Sequence, residues 1–336
     1  MKNHPLQLFI VFLLFGFSTV YGQYTEVINS NKPGFSESPY SVGTGVYQFE
    51  SSLFFRNVSV EPTFSRPQSL GFDMLFRTSF FLEKLELNVQ ASYQRDKIAF
   101  KNIFTSDYSV NGIGRFTVGA KYLVYQQEYE DKSKEIRSWK RRMAFDYKRL
   151  IPSVAVYAGL NTDMVNDIYK TGSMSPKVGL LLQNNLSSDF NIVTNVFYDK
   201  IGTDFSEISY IVTGTYNFND YWSGFVENQT VFLENQNNTN IGTGLAYLYS
   251  KNLQINASGR LLIEGNAQGF YGGFGVSYRI DTHKDSYKEL DENGREATST
   301  PISEYNKKQG GFFSRLFSIF KKKEGRKTNT RKRKRN

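Results

Sequence analysis

The sequence predicts an all-β protein: a transmembrane, antiparallel, up-and-down β-barrel of about twelve strands, followed by a C-terminal tail outside the barrel. Three observations lead to this fold class. Apolar and polar residues alternate with a period of two along most of the chain, which is typical of strands with two different faces. The connections between these segments alternate between short and long. Beyond the first residues, no apolar run approaches the ~20 residues of a membrane-spanning helix.

Residues 1–22 have the pattern of an export signal. Lys2 supplies a positive start, Leu6–Phe17 is an almost unbroken apolar run, and residues 18–22 include the small residues of a cleavage site. The run is shorter than the ~20 residues that span a bilayer. We therefore expect cleavage after Gly22 and export to the cell outer membrane. The alternative is an uncleaved anchor.

Residues 23–43 precede the first alternating segment, and we expect them to form an N-terminal periplasmic segment or a plug in the barrel mouth. The barrel itself is predicted over residues 44–280. Its strands are expected near 44–56, 68–80, 85–97, 111–123, 150–160, 175–186, 190–199, 207–218, 222–233, 240–250, 253–263 and 269–280. Twelve is an even number, as in single-chain bacterial barrels.

The connections fit this topology. Short turns are predicted at 82–84, 187–189, 219–221 and 251–252, and longer polar loops at 57–67, 98–110, 161–174, 200–206, 234–239 and 264–268. With both termini in the periplasm, all four short turns lie on the periplasmic side, as bacterial barrels are built. Residues 124–149 are an exception, because this connection should be a short periplasmic turn but is long and charged. Three interpretations are open: a solvated loop, a short helix that plugs or lines the mouth, or a missed strand pair that would make fourteen strands.

The polar face of these strands carries many charges, which favours a membrane barrel over a soluble β-sandwich or solenoid. Burying so many charges in a soluble core would be prohibitive unless all were paired, whereas a membrane barrel has its polar face inward. The candidate lumen-lining residues are Glu50, Asp73, Arg77, Glu86, Arg115, Lys121, Glu227, Arg260 and Arg279. Apolar residues also point inward in this register: Phe54, Leu75, Ile113, Leu181, Val193, Phe197, Ile211, Phe225 and Leu248.

The residue types argue against catalysis. The chain has no cysteine and two histidines, His4 and His283, which removes thiol chemistry and most acid–base chemistry from the barrel. Four inward carboxylates, Glu50, Asp73, Glu86 and Glu227, could pair or bind Ca²⁺, but no calcium-loop motif accompanies them. A ladder of solvated charges of both signs is the favoured interpretation. We expect no enzyme activity, no cofactor and no metal.

The basic character of the chain belongs to its tail. The formal net charge is +9; residues 312–336 contribute +10, so the rest carries −1. Residues 281–311 read as a polar linker. On a helix, Phe313, Leu316, Phe317 and Phe320 share one face, which predicts a short amphipathic helix that contacts a membrane. The basic end at 331–335 is expected to meet anionic lipid or a periplasmic polyanion; disorder without a partner is the alternative. Nucleic acid is not expected in this compartment.

Short motifs in the first half resemble a family of outer-membrane barrels known as the MetA-pathway of phenol degradation family. The stretch 31–39, with Pro33, Glu37, Ser38 and Pro39, followed by Gly45–Glu50, is similar to the start of that family, and Gly112–Tyr122 is similar to its middle strand. Two departures are Asn31-Lys32 in place of an acidic–basic pair, and Gly159–Thr162, which lacks a Pro-Thr-Gly. The resemblance covers about 28–280. It implies a transport role and names no catalytic residue.

Together these observations predict an outer-membrane transporter or channel that passes a small solute of hydrophobic or aromatic character. The lumen of a twelve-stranded barrel is intermediate in width: eight-stranded barrels are filled by side chains, whereas sixteen-stranded porins have an open channel. The alternative is a structural or partner-binding barrel without transport. The expected partners are outer-membrane lipid, the small-molecule solute and the barrel-assembly machinery.

Overall fold

The computed structural model describes residues 27–59, 65–80, 82–100, 108–127, 146–234 and 236–282. The predicted export signal, most of the charged connection 124–149 and the residues from 283 onward lie outside the described residues. The predicted amphipathic helix, with Phe313, Leu316, Phe317 and Phe320, therefore stays a prediction.

The described chain forms a closed barrel of twelve antiparallel strands, which confirms the predicted fold class. Each strand pairs with its neighbours in sequence, and the last strand pairs with the first. The strands are β1 (Val46–Ser59), β2 (Ser65–Thr78), β3 (Leu85–Phe100), β4 (Tyr108–Tyr125), β5 (Ser153–Asn161), β6 (Ser175–Asn185), β7 (Phe190–Asp199), β8 (Glu207–Asn217), β9 (Trp222–Phe232), β10 (Asn237–Ser250), β11 (Leu253–Glu264) and β12 (Ala267–Asp281).

The seam that closes the barrel is long and regular. β1 and β12 pair without interruption from Val46 opposite Asp281 to Ser59 opposite Gln268. Just outside the seam, the Thr282 N–H donates to the Gly45 carbonyl at 3.0 Å. The chain therefore enters and leaves the barrel at the same point of the rim.

The outer face of the barrel is apolar and exposed. On β1, Phe49 and Leu53 are 41% and 58% exposed, whereas their neighbours Gln48 and Glu50 are buried in the lumen. The outward rings pack against each other across strands, as between Phe49 and Phe76, whose centroids lie 4.8 Å apart. An apolar outer band around a polar interior is the arrangement of an outer-membrane barrel. Among the described residues, no helix is long and apolar enough to cross a membrane.

Inward aromatic rings pack against glycines of the adjacent strand. Phe54 is paired with Gly71, Phe197 with Gly179 and Phe225 with Gly244. A Cβ added at these glycines would lie 2.3–2.4 Å from the ring, so an alanine there would push the ring away from the wall. Glycine opposite an inward ring therefore keeps space free in the lumen.

One inward prediction was wrong. Ile113 points outward, with 41% of its surface exposed, opposite Tyr93 on β3. The register of the β3–β4 pair shifts between Ser92 and Tyr93, so Gly114 has no partner and forms a β-bulge. Because a bulge adds one residue to one strand, every residue of β4 before Gly114 changes face.

Several boundaries also differ from the prediction. β5 begins at Ser153 rather than 150, because residues 147–150 form a short 3₁₀ helix capped by Asp146. β4 pairs directly with β5, for example Leu123 with Ala155, so the fourteen-strand alternative is wrong. On the long-loop side, β9 and β10 are joined by residues 233–236, and β11 and β12 by residues 265–266. The strands extend into what the sequence presented as loops.

Candidate functional site

The barrel lumen contains the described residues that lead into β1. Residues 27–43, called the N-terminal segment below, begin at the short-turn side, where the Ile28 N–H donates to the Lys251 carbonyl at 2.9 Å. The segment ends at the opposite wall, where the Val42 N–H donates to Glu86 Oε2 at 3.0 Å. Between these points it contacts inward side chains of strands all around the barrel, and most of its residues are buried or half-buried.

Glu50 on β1 binds the first part of the segment. Its Oε2 accepts hydrogen bonds from the backbone N–H groups of Asn31 at 2.9 Å and Lys32 at 3.1 Å, and from Ser30 Oγ at 3.0 Å. Ser30 Oγ also lies 2.7 Å from Ser277 Oγ on β12. A carboxylate that accepts backbone N–H bonds makes charge-assisted hydrogen bonds, which are stronger than neutral ones. The segment is thus held at the β1–β12 seam.

Glu227 on β9 binds the middle of the segment. Its carboxylate accepts from the N–H groups of Phe35 at 3.0 Å and Ser36 at 3.2 Å, and from Thr213 Oγ1 at 2.8 Å. Arg260 on β11 forms an ion pair with the same carboxylate. Glu227 is buried, and these donors together with Arg260 compensate its charge.

A chain of buried ion pairs lies beside Glu50 on the wall. Arg77 on β2 reaches Glu50 through Nη1 at 2.9 Å and Glu86 on β3 through Nε at 2.9 Å. Lys121 on β4 contacts Glu86 at 3.0 Å. Side by side, β1 to β4 bring these four charges into one network of alternating sign. A buried charge left alone would cost several kcal/mol, so the network depends on every member.

Two amide side chains of the wall bind the segment at Glu37 and Ser38. Asn195 on β7 accepts from the Glu37 N–H at 2.7 Å and donates to the Glu37 carbonyl at 2.8 Å. Gln183 on β6 accepts from Ser38 Oγ at 2.9 Å, and Lys121 donates to the Ser38 carbonyl at 2.8 Å. Sequence reasoning missed both amides. Their signal was modest, since each is one polar residue at an inward position among many.

Phe35 is the residue of the segment that packs against both apolar clusters of the wall. The Arg260 guanidinium lies over its ring at 3.6 Å, and Tyr271 packs edge-on at 5.6 Å. The ring also packs against two buried apolar clusters of the wall. The first consists of Leu123, Ala155, Tyr157, Leu181, Phe197 and Ile211, and the second of Phe54, Val58, Leu262, Ala267 and Tyr271. One side chain thus joins the segment to both sides of the lumen.

The segment lies between two cavities. The turn-side cavity, of about 630 Å³, is lined by wall residues such as Val193, Phe225 and Leu248. The loop-side cavity, of about 450 Å³, is lined by wall residues such as Leu75, Gln90 and Ile211. Four residues line both cavities, and all four belong to the segment: Asn31, Lys32, Gly34 and Ser36. Both volumes fall in the range of roughly 300–1,000 Å³ that holds small molecules.

An outer loop closes over part of the loop-side cavity. The Asn166 N–H donates to the Ile113 carbonyl at 2.9 Å, and the Tyr169 hydroxyl donates to Asp96 Oδ2 at 2.5 Å. Burial and this hydrogen bond raise the pKa of Tyr169 to about 12. The hydroxyl therefore stays protonated and holds the loop on β3 across the physiological range.

The structure places the nine candidate lumen residues as follows. Glu50, Asp73, Arg77, Glu86, Lys121, Glu227, Arg260 and Arg279 are buried, and the side chain of Arg115 is 46% exposed. Arg279 stands apart from the segment: it donates to Asn252 Oδ1 at 3.0 Å and pairs with Asp281. Of the motif residues Pro33, Glu37, Ser38 and Pro39, the Pro33 carbonyl accepts from Arg260 Nη2 at 3.2 Å. Within the described ranges, no three histidine or carboxylate side chains group as metal ligands.

Comparison with known proteins adds a family and a fold. A family model described as "Putative MetA-pathway of phenol degradation" matches residues 30–280. Among solved structures, an outer membrane channel from Pseudomonas putida F1 is similar, with a TM-score of 0.53 and 8% identity, over 75% of this chain and 100% of that chain. The transport unit of the autotransporter AIDA-I from Escherichia coli has a TM-score of 0.45 and 9% identity, over 83% of this chain and 99% of that one. No curated protein matches the chain. At such identities the likeness concerns the barrel fold.

Proposed function

The chain belongs to the MetA-pathway of phenol degradation family, and from that membership and its lumen we propose an outer-membrane channel or transporter for a small solute of hydrophobic or aromatic character. The observation that carries the proposal is the pair of cavities on either side of the N-terminal segment. A wall that is partly apolar and partly polar suits a solute with a ring or short alkyl body and a polar group.

The N-terminal segment acts in this proposal as a plug. Its polar contacts to the wall are mainly hydrogen bonds to side chains, such as those of Glu50, Glu227 and Asn195. Water can replace such bonds when the segment leaves, so the net cost of each is about 0.5–3 kcal/mol. Phe35 must also leave its packing against the two apolar clusters. Passage of solute requires the segment to shift at least at Asn31–Ser36, where the two cavities adjoin.

The alternative is a structural or partner-binding barrel without transport. The number of bonds that hold the segment favours this alternative. Glu50, Glu86 and Glu227 together accept five backbone N–H groups of the segment. If the segment never leaves, the lumen is a sealed core and the outer loops or tail carry the function. Transport and permanent closure differ in solute flux through the purified protein.

A reversible lock tests the proposal. Ser30 Oγ and Ser277 Oγ lie 2.7 Å apart on the segment and on β12, which suits replacement by a disulfide. The chain has no native cysteine, so Ser30→Cys with Ser277→Cys introduces a single possible bridge. In proteoliposomes we expect uptake of a small neutral aromatic such as benzyl alcohol when the pair is reduced, and little uptake when it is oxidised.

The Ser277→Cys single variant is the matched control, and its uptake should not respond to oxidant. Equal uptake by the oxidised and reduced double variant would overturn the plug. No uptake by any form, wild type included, would overturn the channel and favour the alternative.

The remaining parts of the chain complete the proposal. We assign residues 1–22 to the export signal and the residues after Thr282 to a periplasmic tail that contacts anionic lipid or a periplasmic polyanion. The lumen carboxylates Glu50, Glu86 and Glu227 have a structural role, because arginine, lysine and backbone N–H groups already engage them. An N-terminal sequence of the protein recovered from outer membranes tests the first assignment, since it should begin at Gln23.

A further inference from the structure

Two cations in the loop-side cavity share one carboxylate. Lys32 Nζ lies 3.9 Å from Asp73 Oδ2, and Arg115 Nη2 lies 3.9 Å from Asp73 Oδ1. Both distances exceed a hydrogen bond. In the described part of the chain, neither cationic group has a hydrogen bond or a second ion pair, in contrast to the tightly paired Arg77 and Arg260.

Because Lys32 is buried, a positive charge on it without a close partner destabilises the site. The residue is 8% exposed, and burial makes the charged form of an amino group costly. Arg260 is already neutralised by Glu227, and Glu50 by Arg77. When both are charged, Lys32 and Arg115 therefore have one ion-pair partner between them among the described residues, the carboxylate of Asp73. A charge in such a place is stabilised by an anion from solution.

An aromatic wall stands beside these cations. Phe54 and Tyr271 are stacked, with centroids 5.6 Å apart and an interplanar angle of 15°, and Phe35 packs edge-on against Tyr271. These three rings line the same cavity as Asp73 and Arg115. Rings held in this way offer a surface on which another ring can pack.

We propose that the loop-side cavity binds a small organic anion with an aromatic body, its carboxylate between Lys32 and Arg115 and its ring against Phe35, Phe54 and Tyr271. The inference rests on the proposed channel function and specifies the class of its solute. An arginine fork can hold a carboxylate by two parallel hydrogen bonds, and lysine adds a point charge. Because Lys32 belongs to the segment and Arg115 to β4, the anion would lie between plug and wall.

Calorimetry on the full chain, folded in detergent, tests this with three probes. Benzoate carries ring and carboxylate, benzyl alcohol carries the ring alone, and acetate carries the carboxylate alone. We expect one benzoate per chain, bound at least about tenfold more tightly than either other probe. Arg115→Gln and Lys32→Gln should each weaken benzoate at least about tenfold. Lys170→Gln, on an exposed loop position, should leave it unchanged.

Several outcomes would overturn the inference: no benzoate binding, equal binding of benzoate and benzyl alcohol, or unaltered binding by Arg115→Gln. Each variant is first checked for the heat-modifiable migration of a folded barrel. Arg115 is partly exposed, so its variant keeps the test decisive if Lys32→Gln does not fold. Uptake of benzyl alcohol by the wild type, as measured above, separates the two proposals. If the wild type takes up benzyl alcohol but does not bind benzoate, the channel proposal is supported and the anion-site proposal is wrong.

Discussion

Replacement of Glu227 by glutamine should loosen the plug without changing its shape. The carboxylate accepts the N–H groups of Phe35 and Ser36, and the amide of glutamine keeps the size of the side chain but loses the charge. A hydrogen bond to a charged group contributes about 1.5–3 kcal/mol, and one between neutral groups about 0.5–1.5 kcal/mol. Each of the two bonds thus loses about 1 kcal/mol.

The loss falls on the plugged state alone. Arg260 loses its ion-pair partner in both states, and its unpaired charge costs more in the docked state, where Phe35 covers the guanidinium. This effect therefore has the same sign as the loss of the two bonds. The two bonds alone, at about 2 kcal/mol, correspond to about a thirtyfold shift toward the displaced state. Any rearrangement of Thr213 around the new amide acts on the wall in both states.

Single-channel recording in planar bilayers measures this shift as the fraction of time spent in conducting states. Glu227→Gln should raise that fraction, up to about thirtyfold where the wild type is mostly closed. Glu234→Gln changes the same residue type at an exposed position between β9 and β10 and should behave as the wild type. An unchanged conducting fraction in a folded Glu227→Gln barrel would refute the reasoning, since Glu227 would then not hold a mobile segment.

Three further predictions concern the barrel and its boundary. Arg77→Met leaves Glu50 and Glu86 buried without their shared cation and should lower the free energy of unfolding by about 3–5 kcal/mol; an unchanged urea midpoint would contradict the network. Phe35→Ala removes the ring between the two apolar clusters, so the segment should become cleavable by protease sooner while the barrel keeps its urea midpoint; equal cleavage rates would argue against the apolar anchor. Truncation after Thr282 should still give a heat-modifiable barrel, because β12 ends at Asp281, and failure to fold would place the boundary further along the tail.

The strands were predictable because the membrane imposes their pattern. Lipid on one face and a polar lumen on the other force the period of two, and both the short turns and the strand number follow from it. The pattern misassigned Ile113, since a bulge at Gly114 leaves no mark in the alternation other than a glycine, and this barrel has inward glycines on many strands. The extensions of β10, β11 and β12 were missed because polar residues continue these strands beyond the apolar band.

The lumen was predictable as a set of charges but not as a set of pairs. The alternation puts Arg77, Glu86 and Lys121 on the inner face, whereas their contacts depend on how neighbouring strands are staggered. The contacts of the N-terminal segment were beyond sequence reasoning for another reason. Most of its donors are backbone N–H groups, such as those of Asn31 and Phe35, and every residue except proline carries such a group.

The site of Ser30 has a consequence for the order in which the protein is built. Its hydroxyl contacts Glu50 on β1 and Ser277 on β12, two strands at opposite ends of the barrel sequence that meet when the cylinder closes. Until then half of that site is missing. We therefore expect the segment to dock after the barrel closes, as the final event of biogenesis. The lumen then stays open during assembly and is blocked by the segment only in the completed barrel.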